Sequence, residues 1–339
     1  MKFKRTGAFL AAMLMAAGCA SGNGSADKAD QGSTDSSSGT AYKIGIIEYA
    51  DHPALDATVE GFQDYMEENN VAVDIDFKSA QGEQANCTTI AQTFVNDKVD
   101  LIYAVATPAA QATANATKDI PIVTSAVTDL ETADLVESNE KPGTNVTGAS
   151  DLNPVEAQMD LLKQVLPDAK KIAIMYCNAE ENSRFQAKLA EEVCDKIGLE
   201  YEEATVTETN QIQQVVESLN GKVDAIYIPT DNMLAKAMPT VVQAANDINL
   251  PCIVGEEGMV EQGGLATYGI NYYELGKMAA KQAEAILKGE KKPEDTPVVF
   301  QTADECTLAI NSETAKKLGI TFPEEIAKDA KDMAETSED

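Results

Sequence analysis

Val99-Asp100-Leu101-Ile102-Tyr103, a short helical stretch, and then Asp119-Ile120-Pro121-Ile122-Val123 form a unit that occurs twice. Its second copy is Val223-Asp224-Ala225-Ile226-Tyr227, a helical stretch, and Asn249-Leu250-Pro251-Cys252-Ile253-Val254. Short β-branched runs bounded by Asp, Asn and Pro read as buried strands, and the amphipathic stretches between them as crossover helices. That alternation is the mark of a parallel α/β sheet. Working outward, Tyr42-Lys43-Ile44-Gly45-Ile46-Ile47 is answered by Lys170-Lys171-Ile172-Ala173-Ile174-Met175. The pattern predicts strands at 43–48, 71–77, 101–104, 122–124 and 145–148, and a second set at 171–176, 200–205, 225–228, 252–254 and 266–269. Helices are expected at 54–69, 83–96, 154–166, 184–197, 210–219 and 272–288.

Each copy is long enough for its own three-layer domain. The expected architecture is two similar α/β/α domains with parallel sheets, joined by short hinge crossings around a ligand cleft. One lobe takes 42–149 plus about 270–297, the other 150–269 plus about 298–323. Ligands of open parallel sheets bind beyond the carboxyl ends of the strands. The site is therefore expected in the loops that face each other across the cleft.

The ends of the chain read differently. Lys2, Lys4 and Arg5 precede an apolar run from Ala8 to Ala17, and small residues lead into Gly18-Cys19. This is the grammar of a secretory signal. Ala16-Ala17-Gly18-Cys19 resembles a bacterial lipoprotein signal, with 1–18 removed and Cys19 as the acylated anchor. The stretch 19–41 is Gly, Ser, Asp and Asn with few apolar residues, the composition of a disordered linker. Nothing reaches the ~20 apolar residues that a membrane span needs, so the membrane is expected to be met through the lipid alone. The stretch 324–339 is charged and Ala-rich and reads as a surface helix fraying into a tail.

The charge excludes some classes of function. Asp and Glu outnumber Lys and Arg by 56 to 26, a formal −30, and losing three basic residues with the leader makes it −33. Such a chain does not bind nucleic acid or an anionic membrane face through its general field. Cys87, Cys177, Cys194, Cys252 and Cys306 are an odd set without close pairs, most of them beside apolar runs, and read as core residues. His52 is the single histidine, which leaves no zinc pattern and so no metal site. With no G-x-S-x-G elbow and no G-x-G-x-x-G after the first strand, neither an enzyme nor a cofactor is expected.

Several loop motifs stand in order at the expected strand ends. Gly45-Ile46-Ile47-Glu48 runs into His52-Pro53-Ala54-Leu55-Asp56, and Ala106-Thr107-Pro108-Ala109-Ala110-Gln111 follows. Later come Tyr176-Cys177-Asn178-Ala179-Glu180-Glu181-Asn182-Ser183, Pro229-Thr230-Asp231-Asn232 and Ile270-Asn271-Tyr272-Tyr273-Glu274-Leu275-Gly276. With the tandem halves and the leader, these resemble the type I periplasmic-binding-protein fold across about Tyr42 to Pro323. Within it they resemble the extracytoplasmic substrate-binding lipoproteins of ABC importers, in the subgroup linked to tryptophan and other aromatic amino acids. The resemblance implies a monomeric, lipid-anchored receptor that closes on an amino acid ligand and presents it to permease and ATPase subunits. A nucleoside or sugar receptor of the same fold, or a surface adhesin or sensor reusing it, is the alternative.

An amino acid needs a site for its carboxylate, one for its ammonium and a slot for its side chain. Thr107, read as an N-cap with Pro108 at the first helical position, offers a hydroxyl and free amides to a carboxylate, and Ser125 offers a neighbouring hydroxyl. Asp231 and Glu256 are the ammonium candidates. In related branched-chain receptors an acid of a Gly-x-Glu-Gly loop does this work, which transfers to Glu256 or Glu257, with Glu256 preferred. Helix capping is the competing reading for Asp231. Glu48 and Tyr49 are placed to line the slot, His52 to order its loop or touch the ligand, and Asn178, Glu181, Asn182 and Ser183 to fill the opposite wall.

Overall fold

Two parallel sheets organise the computed structural model, which describes residues 41–302 and 305–334. The first contains β1 (Tyr42–Glu48), β2 (Val73–Ser79), β3 (Leu101–Val105), β4 (Ile122–Val127), β5 (Val146–Ser150) and β11 (Val299–Phe300), in the order β11-β5-β4-β3-β1-β2. The second contains β6 (Lys171–Cys177), β7 (Glu200–Val206), β8 (Ala225–Ile228), β9 (Cys252–Val254), β10 (Ala266–Gly269), β12 (Thr307–Ile310) and β13 (Lys331–Asp332), in the order β13-β12-β10-β9-β8-β6-β7. Every pairing is parallel except β10 with β12. Central strands such as β3, β4 and β5 are buried along their whole length, as a sheet covered on both faces requires.

Around the first sheet pack α1 (Pro53–Glu68), α2 (Gln84–Asp97), α3 (Thr107–Ala116) and α10 (Tyr272–Leu287). The second carries α4 (Val155–Val165), α5 (Glu181–Ile197), α6 (Ile212–Ser218), α7 (Asn232–Lys236), α8 (Met238–Asp247), α9 (Glu257–Glu261), α11 (Ser312–Leu318) and α12 (Glu324–Asp329). Each sheet has an apolar cluster on either face. In the first, Phe62 of α1 stacks on Tyr103 of β3 with ring centroids 4.0 Å apart. Helices α1 and α10 touch backbone to backbone: a Cβ at Gly61 would lie 2.0 Å from the Tyr273 carbonyl oxygen, and one at Gly276 2.1 Å from that of Thr58. Only glycine permits this approach.

The short strands differ from expectation. Val299–Phe300 adds to the first sheet beside β5. The surface helix expected over 324–339 stops at Asp329, and Lys331–Asp332 pair with β12 while Met333 is buried. Apolar Ile326 and Met333 dock this segment onto the second sheet, which a reading of its charge misses. Helix α5 starts at Glu181, three residues earlier than expected, so Glu181, Asn182 and Ser183 occupy its first turn.

Three segments connect the lobes: the chain after β5, the turn from β10 into α10, and the stretch from β11 to β12. Side chains clasp them together. Asn153 Oδ1 accepts from Ile270 N at 3.0 Å, and Tyr272 OH donates to Asp151 Oδ2 at 2.9 Å. Gln301 bonds both backbone groups of Asn271, at 2.9 and 2.6 Å.

Candidate functional site

The carboxyl ends of the strands of both sheets face one another across a cleft of about 920 Å³. Tyr49, Thr107, Pro108 and Gln111 line it from one lobe, and Glu180, Glu181, Asn182 and Lys236 from the other. Hydrogen bonds cross it. Gln111 Nε2 donates to Glu181 Oε2 at 2.7 Å, Lys236 Nζ to the Gln81 carbonyl at 2.8 Å, and Gln186 Nε2 to Thr128 Oγ1 at 3.3 Å. A second, much smaller chamber of about 10 Å³ is lined by His52, Asp151, Thr230, Asp231, Glu256 and Tyr272 among others. The two cavities share Asn182 and Asn232.

The N-terminal wall carries backbone strain. Ala106, after β3, has φ +79°, and Ala126, inside a register shift of β4, has φ +55°. Left-handed conformations of residues with a side chain cost about 1–3 kcal/mol each and gather at ligand sites. At Ala106 the turn launches α3 directly into the cleft. Ala106, not Thr107, holds the cap position, and Thr107 is the first helical residue. The Thr107 side chain is buried, and Oγ1 has no hydrogen-bond partner among the described residues.

Tyr49, Thr107, Glu181 and Asn182 line the large cleft, and His52, Asn182, Asp231 and Glu256 the small chamber. Four other sequence candidates line neither cavity. Glu48 is buried against Asp56, and burial, with Asp56 and Asp51 beside it, pushes its carboxyl up to about 8. The Ser125 hydroxyl bonds Tyr103 OH within the core. Asn178 is exposed, its carbonyl accepting from Arg184 Nη1 at 2.7 Å. Ser183 is fully buried and supports the Asp231 carboxylate.

Asp231 and Glu256 reach the chamber already occupied. Asp231 Oδ1 accepts from Leu234 N at 2.8 Å, capping α7, and Oδ2 from Cys177 N at 2.6 Å. Glu256 caps α9 through Gly258 N at 2.5 Å and Met259 N at 2.9 Å. Its neighbour Glu257 instead pairs with Lys331 at 3.0 Å. Burial raises the carboxyl of Asp231, and that of Glu256 to about 7.

Two residues absent from the expected site, Glu180 and Asp151, belong to its architecture, and the expected His52 stands with them. Glu180 takes Met233 N at 3.0 Å on one oxygen, and on the other the backbone and side-chain N–H groups of Asn232 at 3.2 and 2.6 Å. Burial, then Asp231, raises its carboxyl to about 7. Asp151 is buried, bonded through Oδ2 to Tyr272, and raised to about 6 by desolvation. His52 is also nearly enclosed; burial lowers its imidazole to about 4, so the ring is neutral. Glu180 adjoins Glu181 in a motif already noted, whereas Asp151 follows its strand without any motif.

Two lobes face each other across a polar cleft, the arrangement of a small-molecule binding site. The model of the ABC transporter substrate binding protein family matches residues 43–334, and the chain belongs to that family. It is 41% identical over 308 residues to a tyrosine-binding protein of Clostridioides difficile, covering 90% of this chain and 88% of that one. Among solved structures, an ABC domain in complex with L-Trp from Streptococcus pneumonia has a TM-score of 0.83 at 39% identity, covering 86% of this chain and 99% of the other. The ligand-free, open structure of a substrate-binding protein with adhesive properties from Clostridium difficile scores 0.66 at 43% identity, covering 84% and 97%. The greater similarity to the liganded relative, despite its lower identity, accords with the hydrogen bonds that cross the cleft here.

Proposed function

We propose that this substrate-binding protein is an extracytoplasmic, lipid-anchored monomer that closes around one aromatic amino acid. Tyrosine, tryptophan or phenylalanine would then pass to the permease of an importer powered by its ATPase subunits, without chemical change. Residues 1–40, including the leader, the linker and the Cys19 anchor, lie outside the described residues. No described helix is long and apolar enough to cross a membrane.

One observation carries the reading: the buried, unpartnered Thr107 hydroxyl stands at the start of a ten-residue helix that opens onto the cleft. A carboxylate there gains a hydroxyl, backbone N–H groups and the positive end of the helix dipole. The cleft lies within the size range of small-molecule sites, and Tyr49 and Pro108 are among the residues that line it. The ligands named for the tyrosine-binding and L-Trp-bound relatives support the same class.

A ligand touching both lobes favours the closed arrangement, whereas one touching a single wall shifts nothing. A thermal-shift screen against the twenty amino acids, several nucleosides and several sugars tests the assignment. The aromatic amino acids should give the largest upward shifts, equivalent to about 2.7 kcal/mol at a hundredfold excess over Kd. A sugar or nucleoside as the best ligand would contradict it.

A further inference from the structure

The chamber beside the cleft has room for one water-sized group, and its unpartnered atoms suit a particular one. Asp151 and Asn182 line it, 4% and 8% exposed, and Asp151 Oδ1 and Asn182 Oδ1 make no hydrogen bond of ordinary geometry with the described residues, though the Thr128 side chain lies beside the Asp151 carboxyl. The rest of each side chain is held. Tyr272 OH fixes Asp151 Oδ2, and Asn182 Nδ2 points toward Glu180 Oε2, Ser183 Oγ and the Thr230 carbonyl, which leaves Oδ1 as the free end. His52, 7% exposed, contributes a third acceptor: a neutral imidazole keeps one basic nitrogen, and the ring makes no hydrogen bond of ordinary geometry, though the Asn232 side chain lies beside it.

A primary ammonium group is about as large as water, carries three N–H donors and no acceptor, and bears a positive charge. The remaining acids of the chamber, Asp231 and Glu256, already accept backbone N–H groups, and no Lys or Arg lines it. No cluster of His, Cys, Asp or Glu able to hold a metal ion occurs among the described residues. The chamber and the cleft share Asn182 and Asn232, so a group held in the chamber lies beside a ligand held in the cleft.

We infer that Asp151 is the anchor for the ligand's α-ammonium group, with Asn182 Oδ1 and a His52 ring nitrogen as its other acceptors. The inference rests on the amino-acid reading above and assigns the ammonium to the hinge segment rather than to Asp231 or Glu256 on the C-terminal wall. Asp151 follows β5, and its partner Tyr272 opens α10, so the anchor ties two crossings between the lobes. An aromatic acid without the amino group would lose this contact while keeping Thr107 and the cleft.

The chain contains no Trp, so all indole fluorescence comes from the added ligand and its change on binding reports occupancy. The full chain and its Asp151→Asn, Asp231→Asn and Glu256→Gln variants are titrated with L-tryptophan by fluorescence and L-tyrosine by calorimetry. Each is also titrated with indole-3-propionate, which has the same ring and carboxylate but no ammonium. The wild type should bind L-tryptophan about a hundredfold more tightly than indole-3-propionate. Asp151→Asn, which keeps an acceptor for Tyr272, should lose about a hundredfold for both amino acids and stay within about threefold for indole-3-propionate. The folded Asp231 and Glu256 variants should lose at least tenfold less amino-acid affinity than Asp151→Asn does, and a loss as large as that of Asp151→Asn overturns the assignment. Unchanged amino-acid affinity in Asp151→Asn, or an equal loss for the deaminated ligand, overturns the assignment while leaving the amino-acid reading intact. A wild type that binds none of tyrosine, tryptophan and phenylalanine overturns both. Should Asp151→Asn not fold, carboxyl-labelled aspartate in the wild type decides by NMR: the Asp151 titration midpoint should fall by more than one pH unit on saturation with L-tryptophan, and an unmoved midpoint overturns the assignment.

Discussion

On the N-terminal wall and the crossing that leaves it, Thr107 Oγ1, both nitrogens of His52 and Asp151 Oδ1 are buried without partners among the described residues. On the C-terminal wall, Glu180, Asp231 and Glu256 are equally buried, yet every one of their carboxylate oxygens accepts a backbone N–H. Both sets are buried polar groups, and their free valences differ. Acids of the second wall hold the short helices α7 and α9 against their strands, where an empty acceptor would be costly to leave unmade. Groups of the first wall keep hydrogen-bonding capacity in reserve, and Asn182 Oδ1 is the second wall's own exception. Burial and charge therefore do not separate the two sets; the hydrogen bonds each already makes do.

The largest effect that separates the walls is on stability. Asp231→Ala removes acceptors from Leu234 N and Cys177 N and should cost about 2–4 kcal/mol in denaturant unfolding. The same variant, where folded, should keep most of its ligand affinity; wild-type stability with lost affinity would reverse the assignment of roles. Next comes Asp151→Asn, whose hundredfold loss of amino-acid binding corresponds to about 2.7 kcal/mol. Thr107→Val should lower affinity for the best amino acid by about tenfold, near 1.4 kcal/mol, with little change in melting. Calorimetry giving the wild-type affinity would remove Thr107 from the site.

Acidity gives a further contrast. Burial holds the carboxyls of Glu48, Glu180, Glu256 and Asp151 up at about 8, 7, 7 and 6. The folded chain therefore binds more protons than the unfolded chain from the ordinary carboxylate range up to about pH 8. Stability from these groups is complete below that range and is lost as pH rises through 6 to 8, so melting should be higher at pH 5 than at pH 8. A flat profile or the opposite slope would show these acids ionised in the fold. The smallest effect is expected at the exposed edge of the cleft. Lys236→Ala removes one bond to the Gln81 carbonyl and should weaken binding by threefold or less.

The sheet strands were legible because their β-branched runs are bounded by Asp, Asn and Pro. Val299–Phe300, Thr307–Ile310 and Lys331–Asp332 were not, because strands of two to four residues carry little periodicity and their pairing depends on partners far along the chain. In the site, Tyr49, Thr107 and Asn182 follow strand ends within readable loop motifs, and the structure brings them to the cleft. Glu180 lay one residue from the expected Glu181, a distinction set by where α5 starts. Asp151 was illegible for another reason. Ser150-Asp151-Leu152-Asn153-Pro154 reads as a plain turn, and its importance appears only when Tyr272, 121 residues away, is seen to hold it. For Asp231 and Glu256 the sequence shows that an acid is present and not which N–H groups already occupy it.

Closure of the lobes around a bound amino acid is the central claim, and small-angle X-ray scattering tests it most directly. The radius of gyration should fall when L-tyrosine or L-tryptophan is added to saturation, with calorimetry on the same sample establishing that the site is filled. A saturated protein whose radius of gyration equals that of the free protein would contradict the account.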